Sequence, residues 1–298
     1  MTDDTPFILC LGALHWDVIA HATQPLTRGG DVPGRIMRLP GGVAFNVARA
    51  LVRQGLRASL ISATGSGAEG DALIAEARRA GVGVEHILRG SDDAADRYLA
   101  IEDENGLVAA VADSRTLEAA GPALLTTTVA CLTTPPAALL VESNLPAAML
   151  TALSDLPALA AMDLRLLPAG PGKARRLLPL LGHPGATVYL NRAEAEEILG
   201  HPQGDAVDAA RALRAAGACR VVVTDGPRPV VSASQEGEYT ALPPPVRVAR
   251  VTGAGDTFVA AHMAAELRGL SAEAALAAAL AAAAHHISAP AAATGETP

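Results

Sequence analysis

The chain is poor in aromatic rings and has almost no lysine. Three Phe, three Tyr and one Trp make 2% of 298 residues, so the core must be aliphatic and packed through small side chains. Lys173 is the only lysine; all other side-chain cationic charge is arginine. A basic excess is also missing. The formal charge is −8, which excludes general nucleic-acid binding, since that needs a positive surface. Cys10, Cys131 and Cys219 lie far apart in apolar runs, with no C-x-x-C pair. That excludes a thiolate metal site or a disulfide framework and leaves buried free thiols. Asp3 and Asp4 stand where a secretory leader is basic, and no apolar leader core follows. The alanine tract near the C-terminus is too weakly apolar for a membrane span. A cytoplasmic enzyme with no membrane or nucleic-acid partner is expected.

Half of the residues are hydrophobic, enough for one large α/β domain or two modest ones. Strand-like runs fall at Phe7–Gly12, Ala58–Ala63, Leu139–Val141, Ala160–Met162, Thr187–Leu190 and Cys219–Thr224. Helical patterns lie between them, including Phe45–Gln54, Asp71–Ala80, Arg192–Leu199 and Ala206–Ala216. Strands alternating with helices predict a parallel sheet covered on both faces. Residues 18–40 and 97–113 break the alternation. They read as strands joined by turns, with a hairpin signal at Asn105-Gly106, and predict a separate small sheet or lid. The alanine-rich tail over 290–298 is expected to fray.

The run Val251-Thr252-Gly253-Ala254-Gly255-Asp256-Thr257-Phe258 carries the most chemistry. Two glycines one residue apart open a tight turn, and an apolar helical pattern starts directly after it. Free amides at a helix start, with the dipole behind them, form a site for a phosphate or an oxyanion. A carboxylate beside bound phosphate repels it. Asp256 makes sense there as a base that takes a proton from an attacking nucleophile. Phosphoryl transfer to an alcohol is the leading expectation, against the plainer reading of a strand-to-helix turn with an Asp near its cap. Polar residues at the predicted carboxyl ends of strands would line one edge with Asp256: Asp17, Asn46, Glu142, Asp163, Asn191, Glu194, Thr224 and Gly226. Each alone is an ordinary cap or turn residue.

Gly65-Ser66-Gly67-Ala68-Glu69-Gly70 matches G-x-G-x-x-G between a strand and a helix. No acidic residue clearly ends a following strand about 20 residues on, so a dinucleotide site is rejected. Gly172-Lys173 is followed by Ala174, where a P-loop needs Ser or Thr for magnesium. His285 and His286 are adjacent and diverge on a helix. His262 and Glu266 have i, i+4 spacing and read as a surface pair.

These residues are similar to the PfkB (ribokinase-like) carbohydrate and nucleoside kinases over nearly the whole chain. Gly41-Gly42 with Asn46 matches the N-terminal signature, Asn191-Arg192-Ala193-Glu194 the N-x-x-E motif, and Thr252 to Asp256 the G-A-G-D motif. The resemblance implies one domain over 1–298: a three-layer α/β fold, a mostly parallel central sheet flanked by helices, with a small β-sheet lid. It implies ATP and Mg²⁺ as donor and metal. Asp256 would be the base, with Gly253, Ala254 and Gly255 as the anion hole. Asn191 and Glu194 would arrange Mg²⁺ through water. Asn191, Thr224, Gly226 and Thr252 would approach ATP, and Asp17, Gly41, Gly42, Asn46 and Glu142 the sugar hydroxyls. The stretches Pro33–Ile36, Pro40–Val43 and Tyr98–Asp113 resemble pseudouridine kinases, which phosphorylate a nucleoside 5′-hydroxyl. His15, Val43, Ala44, Phe45, Ser114, Pro229 and Arg250 depart from common family residues, and Arg250 leaves a monovalent-cation site open. Rival readings are a kinase for ribose, adenosine or fructose, and a non-catalytic nucleoside sensor. Lid strands in this family often pair between subunits, so a homodimer through the lid is an expectation.

Overall fold

The structure is a computed structural model and describes residues 5–170, 172–247 and 252–288. The frayed-tail expectation for 290–298 and the departure at Arg250 lie outside these residues. The first strand, β1 (Phe7–Leu11), shows how the sheet is buried. Side chains alternate across a strand: Leu9 and Leu11 enter one core, Ile8 and Cys10 the other. Both sets are aliphatic or sulfur-bearing, so both faces must be covered. The helices α1 (Val43–Arg53), α2 (Ala68–Arg79), α8 (Ala254–Leu267) and α9 (Ala272–Ser288) supply one cover. The other comes from α3 (Arg115–Ala119), α4 (Gly121–Cys131), α5 (Ala147–Ser154), α6 (Arg192–Leu199) and α7 (Ala206–Ala215).

The remaining strands of this sheet are β4 (Arg57–Thr64), β5 (Gly83–Arg89), β8 (Ala138–Glu142), β9 (Leu164–Leu167), β10 (Ala186–Asn191), β11 (Arg220–Asp225), β12 (Arg228–Ala233) and β13 (Glu238–Ala241). Their order is β13-β12-β11-β10-β9-β8-β1-β4-β5. Pairings from β11 through β5 are parallel; β12 and β13 add antiparallel. From β1 the chain goes to β4 on one side and later returns to β8 on the other. That reversal opens a crevice at the carboxyl ends, where α/β sheets bind ligands.

The two irregular segments form a second sheet, β3-β2-β6-β7, from β2 (His15–Ala22), β3 (Gly34–Gly41), β6 (Arg97–Asp103) and β7 (Gly106–Asp113). The Asn-Gly signal lies at the β6–β7 hairpin, where Gly106 takes a φ of 110°. No helix among the described residues is long and apolar enough to cross a membrane.

Several expectations need correction. Ala160–Met162 is no strand: Pro157 opens a 3₁₀ turn over Pro157–Leu159, and the strand starts after Asp163. Asp163 therefore sits at the amino end of β9, away from the ligand edge. Only Cys10 of the three thiols is buried; Cys131 and Cys219 are partly exposed. The His262–Glu266 pair lies on the buried face of α8, with His262 fully inaccessible. An i, i+4 spacing gives the angular relation of two residues, not which face of the helix they occupy.

Candidate active site

The N-terminal turn of α8 is built by Gly253, whose φ of 81° is left-handed. The first described intrahelical bond runs from Thr257 N to Gly253 O at 3.0 Å. The amides just before it have no acceptor within the helix. A Cβ added at Gly255 would meet no atom of the described residues within 4 Å, so among them that side of the turn is open. Helix geometry and the glycine together make a cup for negative charge.

Asp256 stands in that first turn, partly buried, and lines a cavity of about 180 Å³. Asn46 on α1 hydrogen-bonds its carboxyl, and Arg49 donates to Asn46 Oδ1 at 3.1 Å. Burial drives the carboxyl pKa up to about 7, assisted by Asp17 and Glu142 and opposed by Asn46 and Arg49. A group with that pKa can accept a proton near neutrality and release it again.

The opposite wall of the cavity comes from β10 and β11. Asn191 and Glu194 form a reciprocal cap on α6: Glu194 N donates to Asn191 Oδ1 and Asn191 N to Glu194 Oε2, both at 2.9 Å. The capping box explains the N-x-x-E spacing by itself. Yet both residues also line the cavity with Thr224, Gly255 and Asp256. Burial raises the Glu194 carboxyl, with Glu197 adding to the shift and the Asn191 amide opposing it. A divalent cation would offset that burial. The amide and carboxylate are hard oxygen donors, which suit Mg²⁺, and the box leaves Glu194 Oε1 uncommitted.

A second group of residues lies where the small sheet meets β1 and α1. Gly42 has a φ of 103°, and a Cβ there would run into the Ala13 carbonyl. A Cβ on Gly41 would overlap the Asp17 carboxylate. The glycine pair thus lets Asp17 and the Ala13 loop press against the start of α1. His15 Nδ1 faces Asp17 Oδ1 at 3.1 Å, without hydrogen-bond geometry, and both atoms are buried with no hydrogen-bond partner among the described residues. Buried polar atoms of this kind need a partner, and a ligand hydroxyl would supply one. Tyr98 closes on this pair from β6, its ring centroid 6.5 Å from that of His15.

Three other expected site residues stand outside the lining of the cavity. Glu142 is fully buried at the β1–β8 crevice, and Ala13 N and Asn144 N donate to its two oxygens, each at 2.6 Å. In this arrangement it braces the Gly12–Ala13 turn and offers no accessible oxygen. Gly226 sits in the β11–β12 hairpin, outside the cavity lining. Thr252 is exposed, and His286 Nε2 donates to its carbonyl at 2.9 Å. The His286 ring also packs against Gly253 and lies 3.2 Å from Thr257 Oγ1. That bracing histidine was not legible in the sequence, where it appears only as half of an adjacent pair 34 residues away.

The rejected motifs have structural explanations. Ser66 N and Gly67 N, which a dinucleotide would need, donate to the carbonyls of Asp92 and Asp93. Lys173 Nζ donates to Asn144 Oδ1 at 2.6 Å, and a short 3₁₀ helix follows it.

Comparison with known proteins bears on the family and the fold. The pseudouridine kinase of Escherichia coli (strain K12) is 31% identical over 100 residues, 34% of this chain and 32% of the relative. That alignment thus spans about a third of the relative's length. The carbohydrate kinase structure from Agrobacterium tumefaciens superposes with a TM-score of 0.78 at 32% identity, covering 94% of this chain and 90% of that one. Arabidopsis thaliana ribokinase, solved with ribose and ATP, shares the fold at 17% identity and a TM-score of 0.75, over 95% and 92% of the two chains. Residues 5–298 match the profile of the pfkB family carbohydrate kinases, and the chain belongs to that family.

Proposed function

We propose that the protein transfers the terminal phosphoryl group of ATP to a hydroxyl of a sugar or nucleoside, with pseudouridine as the leading acceptor. The observation that carries this reading is Asp256, placed between the open turn of α8 and the Asn46–Arg49 face of α1. The acceptor hydroxyl gives its proton to Asp256 as its oxygen bonds to phosphorus, and the bond to the ADP oxygen breaks. The Gly253–Gly255 amides stabilise charge on the transferring group, which needs positioning more than covalent chemistry. Mg²⁺, when bound, neutralises nucleotide phosphate charge, and Asn191 and Glu194 are the residues that would hold it through water. Thr224 and Thr252 flank the donor side. Asp17, with its uncommitted Oδ1, and Asn46 take acceptor hydroxyls. The small sheet would shut water out during transfer. The similarity to the E. coli pseudouridine kinase supports the acceptor assignment. Turnover of pseudouridine, ribose, adenosine and fructose with ATP and Mg²⁺ tests it. Preference for another acceptor removes the pseudouridine assignment, and turnover of none removes the kinase reading.

The pH profile follows from the base. Asp256 must be ionised to act, and its pKa is about 7. Below that value kcat/KM should fall close to tenfold per pH unit, and above it level off. A flat profile between about pH 5.5 and 8 would exclude Asp256 as the base.

We propose further that a second copy covers the outer edge of the small sheet. Strand β7 is an edge strand, exposed from Gly106 to Ala112 and uncharged over that span. Val111 is 65% exposed and Ile36, on the other edge strand, 74%. An apolar open edge of this kind invites strand pairing. Light scattering after size exclusion should give twice the chain mass, and a monomer at all concentrations counts against the dimer.

A further inference from the structure

The buried cluster around Tyr189 and His262 has no part in the chemistry proposed above. Arg165, only 2% exposed, donates to Tyr189 Oη at 2.9 Å and twice to Asp163 at 2.7 Å, and also bonds Glu266. Arg220 holds the second oxygen of Glu266. Tyr189 Oη lies 3.0 Å from His262 Nδ1. A guanidinium can only donate. The Tyr189 oxygen therefore accepts from Arg165, and of the two tautomers the one with a bare Nδ1 gives the phenol hydrogen an acceptor, at His262 Nδ1. That puts the imidazole proton on Nε2, which is buried and has no hydrogen-bond partner among the described residues. A buried donor left unpaired is unfavourable.

The position of the cluster suggests what offsets that cost. Gly255, Phe258, His262 and Glu266 follow i, i+3, i+7, i+11 spacing and form one stripe on α8. The upper end of the stripe lines the cavity. Phe258 stacks on His262 with centroids 6.2 Å apart and ring planes at 15°. On the strand side, Tyr189 and Asn191 are two residues apart, share a face and both line the cavity. One hydrogen bond thus ties the helix that carries Asp256 to the strand that carries Asn191. We infer that Tyr189 and His262 are positioning residues, whose bond fixes the spacing between the Gly253–Asp256 turn and the Asn191–Glu194 corner. The catalytic consequence rests on the kinase reading; the tie itself does not.

Three variants test it. Tyr189→Phe keeps the ring on the cavity wall and removes only its oxygen. His262→Leu removes the acceptor and the unpaired donor together. His262→Asn returns an acceptor near the place of Nδ1. Tyr189→Phe and His262→Leu should lower kcat about tenfold with acceptor KM within about twofold, and His262→Asn should recover to within about threefold of wild type. His262→Leu exchanges the unpaired Nε2 donor for an unpaired Tyr189 hydroxyl, so its melting temperature should stay close to that of wild type while turnover falls. Hydrogen exchange gives a readout that needs no substrate: amides at 254–258 should exchange about tenfold faster in Tyr189→Phe and His262→Leu, with those of β1 unchanged. Wild-type kcat in all three variants would overturn the inference. If the wild-type protein phosphorylates no acceptor, the kinase reading falls and exchange decides the tie alone; unchanged rates at 254–258 would then refute it.

Discussion

Asp256→Asn is expected to lower turnover by about 10²–10⁴ while stabilising the folded protein above neutral pH. The first half follows from the loss of a proton acceptor at the mouth of the anion cup. An amide of the same shape can keep a hydrogen bond to Asn46, so the cavity and the fold should persist. The second half follows from linkage. The carboxyl pKa rises from 3.8 to about 7 on folding, so the native state holds a proton that the unfolded chain has lost between those values. Stability from this group is fully present below pH 3.8 and is lost as pH rises toward 7. The full shift corresponds to about 4 kcal/mol, and partial exposure reduces this to about 2–3. The amide carries no such penalty. Its advantage should be absent near pH 4, grow with pH and level off above about 7. Steady-state rates and thermal melts from pH 4 to 8 check both halves. Near-wild-type turnover would remove the base assignment, and a lower melting temperature at pH 8 would show that the carboxylate is not burdened by burial.

How much of this was legible beforehand depended on how local the signal was. The G-A-G-D run announces itself because the glycines, the start of the helix and the acid are contiguous. The structure keeps them so, in the first turn of α8. The alternating strands and helices of the second half were readable for the same reason, since period and turn chemistry are local. Strands β12 and β13 were missed. They form an antiparallel edge, where burial is partial and the pattern fades. The strand placed at Ala160–Met162 failed because apolarity alone cannot tell a strand from a tight turn packed on the core, and Pro157 decided for the turn.

Relations between distant residues were the least readable. Glu142 ends a strand, as expected, but the backbone amides that take its carboxylate come from Ala13 and Asn144. The first of these is 129 residues away, and no local pattern reports it. His286 bracing Thr252 is a similar case. So is His262: it shows the spacing of an exposed pair, while the phenol that binds it and the two arginines that hold Glu266 come from three different strands. Chemistry carried by one turn can be read from the sequence, whereas chemistry assembled across the sheet needs the fold.

The largest loss of stability is expected from Arg165→Met, at one of those assembled points. The side chain is 3% exposed and binds two carboxylates and a phenol. Burial pulls its pKa down, but Tyr189, Asp163 and Glu266 outweigh that and hold it well above the usual value. Methionine fills much of the space and removes the charge. Asp163, 30% exposed, can turn to water at little cost. Glu266, 13% exposed, cannot, and retains Arg220 alone among the described arginines. Removing one partner of a buried pair costs about 3–5 kcal/mol. The expected loss is near 3, or about 5 °C in melting temperature for a chain of this size. Salt should change it little, because buried pairs are weakly screened. Replacing Arg115, whose partner Asp113 lies on the surface, should leave the melting temperature unmoved. Pairing Arg165→Met with Glu266→Gln removes the stranded charge, so the double variant should lose less than the two single losses added together. Strict additivity, or an Arg165→Met protein as stable as wild type, would mean that the arginine and Glu266 are not coupled and that β9 and α8 are held together by apolar packing alone.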